Sequence, residues 1–104
     1  MPDTPALSGG GNTDYYRIFV AHPKRPGVEP HWAECEDITH ALGLTPEEFC
    51  EFKAIWRTAT ARLGIVKSGM DAVRDAEKRV HYATLSLTHE RQKVADARAD
   101  ARRN

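Results

Sequence analysis

Long hydrophobic runs are missing from this 104-residue sequence. No stretch approaches the roughly eighteen consecutive apolar residues of a membrane-spanning helix, and nothing has the layout of a secretory leader. A surplus of one charge is also missing: fifteen Lys and Arg balance fifteen Asp and Glu. Without a global field there is no strong nucleic-acid signal and no pull towards an anionic membrane, so any anion site must be local. Cysteine is scarce. Cys35 and Cys50 both fall in helical pattern without a histidine cluster around them, which argues against structural zinc and for reduced thiols in a cytoplasmic protein. The sequence holds no GxxxxGK[ST] phosphate loop, no GxGxxG after a strand, no HExxH and no GxSxG. A conventional kinase or serine hydrolase therefore has no support.

What is present suits one small, mainly α-helical domain. Residues 1–13 hold two prolines and three successive glycines with little to bury, and read as a flexible tail. Residues 15–22, YYRIFVAH, are aromatic and β-branched and stop at Pro23, which predicts a short strand. A lone strand must pair with another strand or with the same strand of a second subunit, and no second strand of similar quality is visible in the sequence. Three prolines and a glycine over 23–30 then predict a semi-rigid surface loop.

Helical spacing begins at Trp32. Trp32, Cys35, Ile38 and Leu42 form one apolar stripe, predicting a first helix over 32–43 that ends at Gly43. Thr45-Pro46-Glu47-Glu48 reads as an N-cap, a proline at the first helical position and a capping-box glutamate. The second helix, 46–63, places Phe49, Phe52, Trp56, Ala59 and Leu63 on one face, with Ile55 beside them. A third helix, 69–88, starts at a cap-like pair of Ser68 and Asp71. Its thin apolar face carries Met70, Val73, Val80 and Leu87 with Ala76 and Ala83, and suits self-association as well as internal packing. Residues 89–104 are charged and have Val94 as their sizeable aliphatic, which predicts a solvated helical extension that frays. A folded part of about 70–75 residues buries only roughly 60% of its unfolded surface, so a homo-oligomer is expected.

Three groups of residues could carry chemistry. Lys53 and Arg57 lie one turn apart beside Trp56, and their mutual repulsion calls for a compensating partner, either a bound phosphate or acids of the protein itself. Arg74, Lys78 and His81 are interleaved with Asp71, Asp75 and Glu77, a pattern that also describes an ordinary solvated face. Glu34 and Asp37 stand three residues apart, as do carboxylates that jointly hold magnesium in helical pyrophosphohydrolases. Magnesium enters only with that enzymatic alternative. Otherwise no cofactor and no metal site is expected.

The order of these elements resembles a family of short phage proteins that includes the SaV-like proteins and a nucleotide kinase without a phosphate loop. The resemblance runs through residues 31–85. It rests on His31-Trp32, on Glu34 with Asp37, on Lys53-Ala54-Ile55-Trp56-Arg57, and on Asp75 with Lys78 and Tyr82. It implies a nucleotide-handling phage accessory protein in the cytoplasm of an infected bacterium, and the local cations and aromatics without a catalytic set lead to the expectation that it binds a nucleotide-type ligand, such as a host immune signal, and sequesters it. Lys53, Arg57 and Lys78 would take phosphate oxygens, and Trp32, Trp56 or Tyr82 a base face. Glu34, Asp37 or Asp75 would take ribose, base amines or a metal. Trp56 fits a core position as well as a stacking one. Two alternatives stand beside this reading. One is a nucleotide kinase or magnesium-dependent nucleotide hydrolase, although the pattern leans away from an enzyme. The other is a protein that inhibits a host defence factor by direct contact.

Overall fold

The computed structural model describes residues 14–66 and 68–103. The predicted flexible tail at 1–13 lies outside them. The protein is mainly helical. A 3-10 turn at Asp14–Tyr16 leads into β1 (Arg17–Val20), followed by β2 (His31–Glu34), α1 (Cys35–Leu42), α2 (Pro46–Arg62) and α3 (Ala72–Arg103). Among the described residues no helix is long and apolar enough to cross a membrane.

The strand expected to stand alone has its partner in the same chain. β1 and β2 pair antiparallel, with Arg17 opposite Glu34, Ile18 opposite Ala33, Phe19 opposite Trp32 and Val20 opposite His31. Residues 31–34 are therefore strand, and the first helix begins at Cys35 instead of Trp32. Trp32 sits three residues before Cys35 and so imitates a helical stripe. What makes it strand is a cross-strand contact: its ring meets Phe19 edge-on at 5.4 Å, and the Arg17 guanidinium lies over it at 4.6 Å. Such pairs are the unit of sheet stabilisation. Arg17 Nε also approaches Glu34 Oε1 to 2.7 Å, an ion contact without an aligned hydrogen bond. Glu34 is at once the last strand residue and the N-cap of α1, yet its side chain makes no capping bond.

The sequence signals around α2 correspond to structure atom by atom. Thr45 Oγ1 accepts from the Glu48 backbone N–H at 3.2 Å, and Glu48 Oε1 accepts from the Thr45 N–H at 2.9 Å, with Pro46 in the first turn. This is the reciprocal capping box. Gly43 closes α1 in the left-handed conformation at φ 64°, which glycine adopts without steric cost.

α3 differs from expectation at both ends. It starts at Ala72, because Asp71 and not Ser68 is the cap: Asp71 Oδ1 accepts from the Val73 and Arg74 N–H groups at 3.0 and 3.2 Å. It runs on to Arg103 instead of ending near residue 88. At 1.5 Å per residue this is about 48 Å of helix, most of the 61 Å long axis of the molecule. The predicted apolar stripe of α3 is not its packing face, since Val73 and Val80 are each 69% exposed. α3 packs on α2 through a different side, which carries Asp75, Lys78, Tyr82 and Leu85.

Among the described residues Cys35 and Ala54 are the buried apolar ones, and they are joined by three buried polar ones, Thr39, Thr60 and Asp75. Each threonine hydroxyl is satisfied by a carbonyl one turn back, Glu36 for Thr39 and Arg57 for Thr60. Asp75 takes a forked pair of bonds from Arg57, Nη2 to Oδ1 at 2.9 Å and Nε to Oδ2 at 3.2 Å. Arg57 Nη1 donates to the Tyr16 hydroxyl at 3.2 Å. One guanidinium thus ties α2 to α3 and to the turn before β1. The Arg57 and Asp75 side chains are only 12% and 6% exposed, so removal of either leaves a charge stranded.

Arg57→Ala and Asp75→Ala are each expected to cost about 3 kcal/mol in urea unfolding, a large share of the stability of so small a domain. The joint replacement Arg57→Met with Asp75→Leu should recover most of that loss. A joint variant as unstable as the sum of the single ones would contradict the pairing.

Candidate functional site

The cations singled out in the sequence separate into two neighbouring cavities with Tyr16 between them. Lys53, on the middle of α2, lines a cavity of about 310 Å3 with Tyr16, Glu34, Cys35, Glu36 and Phe49. Its ammonium lies 4.8 Å from the centre of the Tyr16 ring and 5.2 Å from that of Phe49, where the electron-rich faces attract it. Arg57, one turn on, is taken by Asp75 and by the Tyr16 hydroxyl. The repulsion between Lys53 and Arg57 is therefore offset within the protein, by aromatic faces for the one and a carboxylate for the other. That carboxylate holds the Arg57 guanidinium above its ordinary pKa, with the Tyr16 bond adding to the effect and burial opposing it.

The second cavity is a cleft of about 250 Å3 between the end of α2, the turn at 68–71 and the first turns of α3. Arg57, Arg74, Lys78, Asp71, Asp75 and Ser68 line it, with Gly69 and Met70. Two of these charges are internally committed: Asp75 to Arg57, and Asp71 to the backbone of α3. Arg74 and Lys78 make no ion pair among the described residues. One turn apart on α3, they give the cleft two cations with free hydrogen-bonding capacity, and the Ser68 hydroxyl stands on its rim.

The remaining predicted residues are dispersed. Trp56 packs against Phe52 at 6.0 Å and donates from Nε1 to the Tyr15 carbonyl at 2.7 Å. It lines an apolar groove of about 230 Å3 with Ile18, Ile55 and Leu63, so of its two sequence readings the structure favours packing. Trp32 belongs to the sheet face opposite Ile18. Tyr82 lies half-buried on α3, its ring edge-on to His81 at 5.1 Å. A hydrogen bond with the Cys50 thiol raises its phenol pKa. Asp37 is exposed on α1. Glu34 and Asp37 do not share a helix, as a joint magnesium site on one helical face requires, because Glu34 is strand. Among the described residues no three His, Cys, Asp or Glu side chains gather into a group that could hold a metal ion.

Two residues of this region were not among the sequence candidates for ligand contact. Arg74 was legible as part of a mixed charge pattern, but only the fold shows that Asp71 and Asp75 are occupied elsewhere and leave it unmatched. Tyr16 gave no signal, because its role depends on contacts with residues some forty positions away.

No family model, no curated protein and no solved structure matches this chain.

Cys35, at the base of the Lys53 cavity, is 3% exposed. Burial raises its thiol above the ordinary 9.0, Lys53 and Arg57 pull it down, and Glu36 adds to the rise. The unfolded thiol then loses its proton at a pH where the folded one keeps it, so alkali favours unfolding. The stability is complete below the ordinary thiol value and is lost as pH climbs towards the folded value. Denaturation followed from pH 8 upward should show a decline beginning near 9.0 that is shallower in Cys35→Ala. Equal slopes in the two proteins would refute it.

Proposed function

We propose that this protein is a small helical binding protein whose cleft at the start of α3 captures an anionic, nucleotide-type ligand. The observation that carries this reading is that Arg74 and Lys78, which make no ion pair among the described residues, share a cleft whose two carboxylates are bonded elsewhere, Asp75 to Arg57 and Asp71 to the α3 backbone. Both are long, charged donors suited to phosphate oxygens, Arg74 as a planar fork and Lys78 as a point charge. Arg57 lines the same cleft, held in place by Asp75. Ser68 supplies a neutral hydroxyl. The resemblance of residues 31–85 to short phage proteins favours a nucleotide over other anions, and sequestration of a host immune nucleotide in an infected bacterium is the corresponding role. The cleft brings positive charge and hydrogen-bond donors together, which supports a binding role.

Relative to the sequence reading, the phosphate contacts move from Lys53, Arg57 and Lys78 to Arg74 and Lys78 with Arg57 in support. Lys53 and Glu34 form a separate polar cavity across Tyr16. The enzymatic alternative draws on Glu34, Asp37 and Asp75, which stand on β2, α1 and α3.

Titration calorimetry against pyrophosphate, adenosine and guanosine mono- and triphosphates, and cyclic dinucleotides tests the proposal. At least one probe should bind, and Arg74→Ala and Lys78→Ala should each weaken it by about tenfold or more, the worth of one charge-assisted contact. Lys53→Ala should change affinity little. Silence across the panel, or binding indifferent to both α3 variants, would remove the reading.

A further inference from the structure

The side of α3 turned away from α2 is apolar at a strict seven-residue interval. Val73, Val80, Leu87 and Val94 are 69%, 69%, 47% and 50% exposed. Ala76, Ala83 and Ala97 each stand three residues after one of them. With the first series as a and the second as d, this is the heptad pattern of a coiled-coil seam, sustained over four heptads and interrupted at d by Glu90. α2 does not cover it. Asp75, Tyr82 and His89, whose partners on α2 are Arg57, Cys50 and Glu47, recur at position c, about 200° around the helix from a. Among the described residues, the last part of α3 extends past the first turns of α2 and is largely exposed, although an isolated helical segment of that length is marginal in water.

We infer that α3 pairs antiparallel with α3 of a second copy of this chain along the heptad stripe, in the register that sets Ala76 opposite the partner's Ala101. Side-chain size matches in this alignment: Val80 meets the partner's Ala97, Val94 meets the partner's Ala83, and Leu87 lies against the methylene stem of the partner's Glu90. Charge selects both direction and register. In an antiparallel pair e faces e and g faces g, so Glu77 meets the partner's Arg98 and Arg79 meets the partner's Asp100. The two-fold axis repeats each contact, giving four opposite-charge pairs. A parallel pair would set Glu90 against the partner's Glu90 in the seam and Lys93 against the partner's Arg98. Sliding the antiparallel pair by one heptad brings Arg79 onto the partner's Lys93 in one direction, and Arg91 onto the partner's Arg91 in the other. Of these alignments, the stated one sets opposite charges together at both flanks and no like charges directly across from each other. Its paired segment, residues 76–101, is about 38 Å long.

Sedimentation equilibrium of the full chain, from about 2 to 200 µM to bracket the Kd of a modest helix pair, should show mass rising from 11.6 kDa towards twice that value. Leu87→Glu with Val94→Glu should hold the protein monomeric with its helical circular dichroism intact, because neither side chain packs on α2. Glu77→Arg should weaken dimerisation about tenfold or more, and Glu77→Arg with Arg98→Glu should restore it. A monomer at every concentration, an assembly larger than two, or a dimer indifferent to the Leu87 and Val94 changes would overturn the pairing. A double charge swap that fails to rescue would overturn the register.

Discussion

Everything else in this fold depends on one buried guanidinium. With two apolar residues fully buried among those described, hydrophobic burial alone specifies the helix arrangement weakly. The bidentate contact of Arg57 with Asp75 fixes how α3 lies along α2, and the third bond of the same group positions Tyr16 and hence the approach of β1. A forked guanidinium has narrow geometric tolerance, so it sets register where a small core would permit sliding. The threonines at 39 and 60 act in the same spirit, filling buried positions while satisfying their hydroxyls on the adjacent turn.

The placement of the charges follows from that anchoring. Asp75 is bonded to Arg57 and Asp71 to the α3 backbone, so neither makes a contact pair with Lys78 or Arg74. Arg57, Arg74 and Lys78 thus face two carboxylates in the cleft, and the two cations of α3 keep their hydrogen-bonding capacity. Tyr16 works in two directions at once, offering its ring to Lys53 and its hydroxyl to Arg57. Two cations one helical turn apart are thereby kept in separate environments.

How much of this was legible in the sequence depended on the range of the interactions concerned. The start of α2 was legible to the residue, because a capping box is written in four consecutive positions and needs nothing else. The end of α1 at Gly43 was equally local. β2 was not, because His31-Trp32-Ala33-Glu34 has no strand pattern of its own and is held by Phe19 and Arg17 across the hairpin. The apolar periodicity of α3 was visible, but periodicity says only that a face exists. Which face meets α2 was decided by Asp75, a charged residue that a hydrophobic pattern ignores. The same holds for the site. Arg57 was singled out with Lys53, and Asp75 and Lys78 in a separate group, whereas the pairing of Arg57 with Asp75 across two helices needed the distances.

The junction between β2 and α1 has a kinetic consequence. Glu34 ends the strand and Cys35 opens the helix with no residue of slack, and α1 has eight residues and no side-chain cap at its start. So short a segment does not hold helical shape alone. Its nucleation is therefore expected to follow formation of the β1–β2 hairpin, an event on the order of 1–10 μs. Once the strands zip, α1 inherits its direction from them, and the first helix of the protein is in temporal terms a product of its sheet.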